Sequence, residues 1–94
     1  MAVKILIKRT VPDNREEELL PLLTQLRTIC MRQPGYVSGE TLRRLDKSGE
    51  TLVISTWQSA DEWREWVLGK ERSEIQDKID NLLGEKTEYK IYQF

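Results

Sequence analysis

The sequence contains no histidine and one cysteine, Cys30, in 94 residues. Without imidazole, Ser-His-Asp and Cys-His nucleophile systems are excluded, as are histidine-built zinc, copper and non-haem iron sites and haem with a histidine axial ligand. A single thiol cannot close an intrachain disulfide and offers too few ligands for a cysteine zinc site. Long apolar runs are also missing: stretches such as Ile5–Ile7 and Leu52–Ile54 fall far short of a bilayer span, so no membrane helix is expected. The opening Met1-Ala2-Val3-Lys4-Ile5 lacks the apolar core and small-residue cleavage site of a signal peptide, which makes a cytoplasmic location the expectation. The 15 basic residues are scattered among 16 acidic ones, for a net charge of −1. That leaves no concentrated positive field of the kind nucleic-acid binding requires. The length suits one domain, residues 1–94, and is too short for two separate cores.

What is present reads as a regular succession of elements. Val3-Lys4-Ile5-Leu6-Ile7-Lys8-Arg9 is β-branched and ends at Pro12-Asp13, a strand closed by a turn. Asp13 stands three positions before Glu16 in a pattern close to a capping box. Leu19, Leu22, Leu23, Leu26, Ile29 and Cys30 follow at helical spacing. Pro21 lies inside this helix and predicts a bend or a poorly formed first turn. Pro34-Gly35 ends it. Tyr36–Leu45 and Glu50–Gln58 form a hairpin about Asp46-Lys47-Ser48-Gly49. Ser59 and Glu62 make a second capping box, followed by Trp63, Trp66 and Val67 on one face. Gly69 interrupts the pattern and Ile75, Ile79, Leu82 and Leu83 resume it, so the second helical region comes in two pieces, stopped at Gly84. Thr87–Phe94 is the last strand.

The order β-α-β-β-α-β is that of an α+β, ferredoxin-like domain: a four-stranded antiparallel sheet with its helices on one face. In an unpaired domain the other face should be polar. Yet Leu52 and Ile54 lie on one side of the third strand, Val53 and Trp57 lie on the other, and the first strand is similarly two-sided. Pairing of two copies, sheet to sheet, is the simplest cover for that second face.

The run Ile54-Ser55-Thr56-Trp57-Gln58-Ser59-Ala60-Asp61-Glu62-Trp63-Arg64-Glu65-Trp66 resembles the strand-to-helix segment of the antibiotic biosynthesis monooxygenase family: a strand ending in Trp, a Ser two residues on, then an aromatic-rich helix. Gln33-Pro34-Gly35-Tyr36 resembles the family's junction after the first helix. The resemblance implies a dimeric α/β barrel whose relatives include cofactor-independent quinone-forming monooxygenases, haem-degrading enzymes and isomerase-like proteins. Fold follows from it more directly than reaction. In the haem-degrading branch the resemblance calls for Asn, Trp and His at positions held here by Lys8, Trp66 and Gln76. Only Trp66 matches, which disfavours haem and leaves an expectation of no cofactor.

The cofactor-free branch needs only a bound ring, a stabilised phenolate and shelter from water. What the resemblance implies for it here is Trp66 and Trp57 as ring contacts, with Tyr36 beside them, Lys8 or Arg9 as the cation, and Arg72 or Gln76 as further donors. Each has a plainer reading. The tryptophans also suit a packed core. Lys8 and Arg9 point to opposite faces, so one at most reaches a given pocket. Lys70-Glu71-Arg72 reads as a solvated face or a lid, Cys30 as a small buried hydrophobe, and the carboxylates at Glu16–Glu18 and Asp61–Glu65 as helix-dipole partners. Glu40, read as sharing a strand face with Tyr36, is a candidate general base for an isomerase-like proton transfer, with Lys8 as the alternative. An open pocket holding Trp66 and a buried cation would favour the monooxygenase reading. A pocket packed shut would favour a structural or ligand-holding module, and a buried Glu40 facing a cavity would favour proton transfer.

Overall fold

The first apolar segment becomes β1 (Val3–Thr10), one of the two inner strands of the sheet. The computed structural model describes residues 1–94. Beyond β1 come a 3-10 turn (Asp13–Arg15), α1 (Glu16–Cys30), β2 (Tyr36–Arg43), β3 (Glu50–Trp57), α2 (Ala60–Leu68), α3 (Lys70–Leu83) and β4 (Glu88–Gln93). The sheet order is β2-β3-β1-β4, with every neighbouring pair antiparallel. This is the ferredoxin-like arrangement read from the sequence, with the second helical region divided at Gly69.

Local chemistry accounts for most boundaries. Ser59 caps α2: its hydroxyl accepts from the Glu62 amide at 3.2 Å and donates to Glu62 Oε1 at 3.0 Å. Gly35, Gly49 and Gly84 adopt positive φ at the loop before β2, the hairpin turn and the end of α3, where a side chain would strain the backbone. The first capping expectation is corrected. Asp13 makes no capping bond; it opens the 3-10 turn, and Arg15 occupies the start of α1 without a side-chain cap. Pro21 does not end α1, because it lies near the helix start, where one missing N–H bond is offset by the turns that follow.

β1 divides its residues between two surfaces. Val3, Ile5 and Arg9 are buried under the helices, whereas Lys4, Lys8 and Thr10 face outward. The interior itself is split. Val3, Ile5, Trp57 and Trp63 form one cluster on the sheet, and Leu19, Ile75 and Ile79 form another between α1 and α3. The candidate site lies between the two.

On the opposite surface Leu6, Leu42, Leu52 and Ile54 stand in adjacent registers, with Leu42 47% and Tyr92 53% exposed. No helix is long and apolar enough to cross a membrane.

Candidate functional site

A cavity of about 610 Å³ opens between the sheet and the helices. Strand pleating and helix spacing divide its lining into an aromatic part and a polar part.

The aromatic part is built from the end of β3 outward. Trp57 is fully buried, with its indole N–H donating to Ser55 Oγ at 3.2 Å. Trp66 of α2 stacks on it, with centroids 6.4 Å apart and planes 25° from parallel, and Tyr36 meets it edge-on at 5.5 Å. Trp57 therefore serves as the floor on which Trp66 and Tyr36 are set. Gly39 matters for the same reason, since a Cβ there would lie 2.6 Å from the Tyr36 hydroxyl oxygen. Cys30 borders this region, and burial pushes its thiol up to about 11, which leaves it protonated and poorly nucleophilic near neutrality.

The polar part depends on a row along α3. Arg72, Gln76 and Asp80 are four residues apart, so they share one side of the helix beside the apolar Ile75 and Ile79. Arg72 donates to the Tyr89 hydroxyl and, at 3.3 Å, to the Val67 carbonyl; its guanidinium also lies over the Tyr89 ring, 5.4 Å from the centroid. Tyr89 donates in turn to Gln76 Oε1 at 3.0 Å. The Gln76 amide nitrogen donates to Asp80 Oδ1 at 2.8 Å and Thr87 Oγ1 at 2.9 Å. Thr87 also gives both its hydroxyl and its main-chain N–H to Asp80. Asp80 thus accepts three of these bonds through Oδ1 and, because its donors are neutral, keeps its negative charge.

Arg9 enters the same region from β1. It is 6% exposed, its Nε has no hydrogen-bond partner, and it takes part in none of the salt bridges. Burial holds its guanidinium below the usual arginine range, against the pull of Tyr89 and Asp80, and Arg72 is close enough to repel it. Tyr89 is shifted upward by burial despite both arginines, so its phenol is neutral near pH 7. Two buried guanidinium groups consequently face one cavity with Asp80 offsetting only one of their charges. Such an arrangement is costly unless an anion completes it.

The sequence-based candidates separate cleanly. Trp66, Trp57, Tyr36, Arg9, Arg72 and Gln76 all line the cavity. Lys8 does not: it is on the other face of β1, paired with Glu50 at 3.6 Å. Glu40 is also corrected. A register irregularity between Tyr36 and Ser38 shifts the alternation, leaving Tyr36 beside Trp57 while Glu40 stands opposite Ile54, exposed on the far face. Glu40 borders the cavity through its place on the strand, but its side chain falls on the side away from it. The solvated-face reading of Arg72 is overturned by its burial at 9% exposure. Tyr89, Asp80 and Thr87 were not among the candidates, although the polar row at positions 72, 76 and 80 was a signal that could have found Asp80. No group of three or more His, Cys, Asp or Glu side chains is placed to hold a metal ion. A haem ligand set does not fit either, because the Gln76 amide is fully engaged and Lys8 points away.

The sequence model of the antibiotic biosynthesis monooxygenase family matches residues 2–78. Protein SchA of Streptomyces halstedii is 23% identical over 73 residues, covering 78% of this chain and 19% of its own length. The 42.8 kDa protein in the whiE locus of Streptomyces coelicolor is 28% identical over 69 residues, covering 73% of this chain and 17% of its own. The chain therefore spans less than a fifth of these curated relatives. Among solved structures, SnoaB, a cofactor-independent oxygenase from Streptomyces nogalater, superposes with a TM-score of 0.85 at 20% identity, covering 99% of this chain and 92% of that one.

Proposed function

Because the chain belongs to the antibiotic biosynthesis monooxygenase family, we propose that its cavity binds a small electron-rich phenol or quinol and oxidises it with molecular oxygen without a bound cofactor. The observation that carries this reading is one cavity lined by both the Trp66 ring and the buried Arg9 and Arg72 guanidinium groups. Trp66 and Tyr36 supply faces and edges for an aromatic ring. The guanidinium groups favour the phenolate over the phenol, and the phenolate is the species able to pass an electron to oxygen. The balance closes on substrate and oxygen alone. One oxygen atom enters the ring as a second carbonyl, the other leaves as water, and that water carries away the phenolic proton and the displaced ring hydrogen. The chain's role is to hold the ring, stabilise its anion and exclude water from the radical pair.

The test is a titration of the purified protein with a panel of phenols and quinols, following tryptophan fluorescence and oxygen uptake together. Saturable quenching with oxygen consumption is expected, and Trp66→Ala should weaken binding about tenfold by removing the ring contact while circular dichroism stays unchanged. Binding without any oxygen uptake would make the domain a ligand-holding module. An isomerase-like role through Glu40 or Lys8 has no support, since both lie on the other side of the sheet.

That other side fits a second copy of the chain. Leu6, Leu42, Leu52 and Ile54 give it an apolar centre, and Lys4, Lys8, Glu40, Glu88 and Lys90 of both signs surround it. Pairing sheet to sheet would bury on the order of 1,000 Å² and leave each cavity on the outside of the pair.

A further inference from the structure

We infer that the ligand is an aromatic acid with its carboxylate next to the reacting hydroxyl, held as a unit by Arg9 and Arg72. This rests on the reading of the cavity as a phenol-binding site and goes beyond it by naming the second functional group.

The cavity holds more buried cationic donors than one phenolate needs. A cavity that had only to stabilise one phenolate would need one cation, and Arg72 already serves as one, braced by Tyr89 and the Val67 carbonyl. Arg9 is then surplus. It is nonetheless buried at 6% exposure, lacks a partner at Nε, and stands near enough to Arg72 to repel it. The carboxylate of the network, Asp80, is held at Oδ1 by neutral donors from Gln76 and Thr87, and its charge offsets one of the two guanidinium groups. The second positive charge and the open Nε of Arg9 call for a fixed anionic group from the ligand. A guanidinium presents parallel N–H donors that match a carboxylate in bidentate fashion, so Arg9 fits the fixed charge and Arg72 the ionising oxygen. In such a ligand the hydroxyl proton is normally retained by an internal hydrogen bond to the carboxylate. Taking that carboxylate onto Arg9 breaks the internal bond and frees the hydroxyl to ionise against Arg72.

Isothermal titration calorimetry with three probes tests this: 3-hydroxy-2-naphthoate, where acid and hydroxyl are adjacent, 6-hydroxy-2-naphthoate, where they are apart, and 2-naphthol, which has no acid. The adjacent acid should bind about tenfold tighter or more than either of the others. Arg9→Met should bring the affinity for the adjacent acid down to that for 2-naphthol measured on the same variant, and Arg9→Lys, which keeps the charge but loses the fork, should restore the preference in part. Circular dichroism reports whether each variant still folds. Equal affinity for all three probes, a preference that survives Arg9→Met, or no binding of any probe would overturn the inference. Naphthol oxidised without any preference for the acid would sink this inference and leave the oxygenase standing. A strong acid preference without oxygen uptake would do the reverse.

Discussion

Cys30 sits where α1 ends against the aromatic part of the cavity, and its thiol is displaced from 9.0 to about 11 by burial. The sign of the consequence is fixed. Unfolding returns the thiol to its ordinary value, so between pH 9 and pH 11 the unfolded chain releases a proton that the folded chain keeps, and stability falls as pH rises through that window. Because the thiol is only part-buried, the loss is at most about 2 kcal/mol. Urea denaturation across that window should show a decline that is shallower in Cys30→Ala; identical slopes for the two proteins would mean the thiol titrates normally. Single residues also mark what could be read in advance. The family resemblance pointed to Arg9, Trp66 and Gln76, whereas Tyr89 passed as an ordinary strand aromatic. Its importance comes from partners on α3, thirteen and seventeen positions away, a proximity that only the folded chain creates.

The hairpin, the break at Gly69 and the Ser59 cap were legible because each depends on neighbours in sequence. The face of Glu40 was not, since one irregularity after Tyr36 reverses the alternation that strand reasoning assumes. Asp13 failed as a cap for a related reason: the chain took up a 3-10 turn first, moving the helix start past it. Gly35 joins several of these elements. Its φ is +88°, and a Cβ there would stand 2.5 Å from the Glu62 carboxyl and 2.7 Å from the Glu62 Cβ. A larger residue would both strain the turn and dislodge Glu62 from its bond with Ser59. Gly35→Ala should therefore cost about 2 kcal/mol, against about 1 kcal/mol for Ser59→Ala. Denaturation midpoints would measure both, and a neutral Gly35→Ala would show that the loop and α2 move apart freely.

For the molecule as a whole, the far face of the sheet is where the proposed pairing is decided. Ile54→Asp places a carboxylate among Leu6, Leu42 and Leu52 and should convert a dimer into monomers by light scattering, with ligand binding weakened only as far as the monomer loses stability. A wild-type chain that is already monomeric at micromolar concentration would remove the pairing from the account. The two-sided apolar pattern of β1 and β3 announced a sheet with two committed faces and sorted Leu52 and Ile54 from Val53 and Trp57, but which face meets the helices is set only in the assembled sheet. In β1 the odd positions Val3, Ile5, Ile7 and Arg9 look toward the cavity side, and the even positions Lys4, Leu6, Lys8 and Thr10 look away. What the domain holds and what it associates with are thus encoded on interleaved residues of one strand. Point substitutions can let either property drift during evolution while the other stays fixed. Only the insertion or deletion of a single residue in that strand would exchange the two at once.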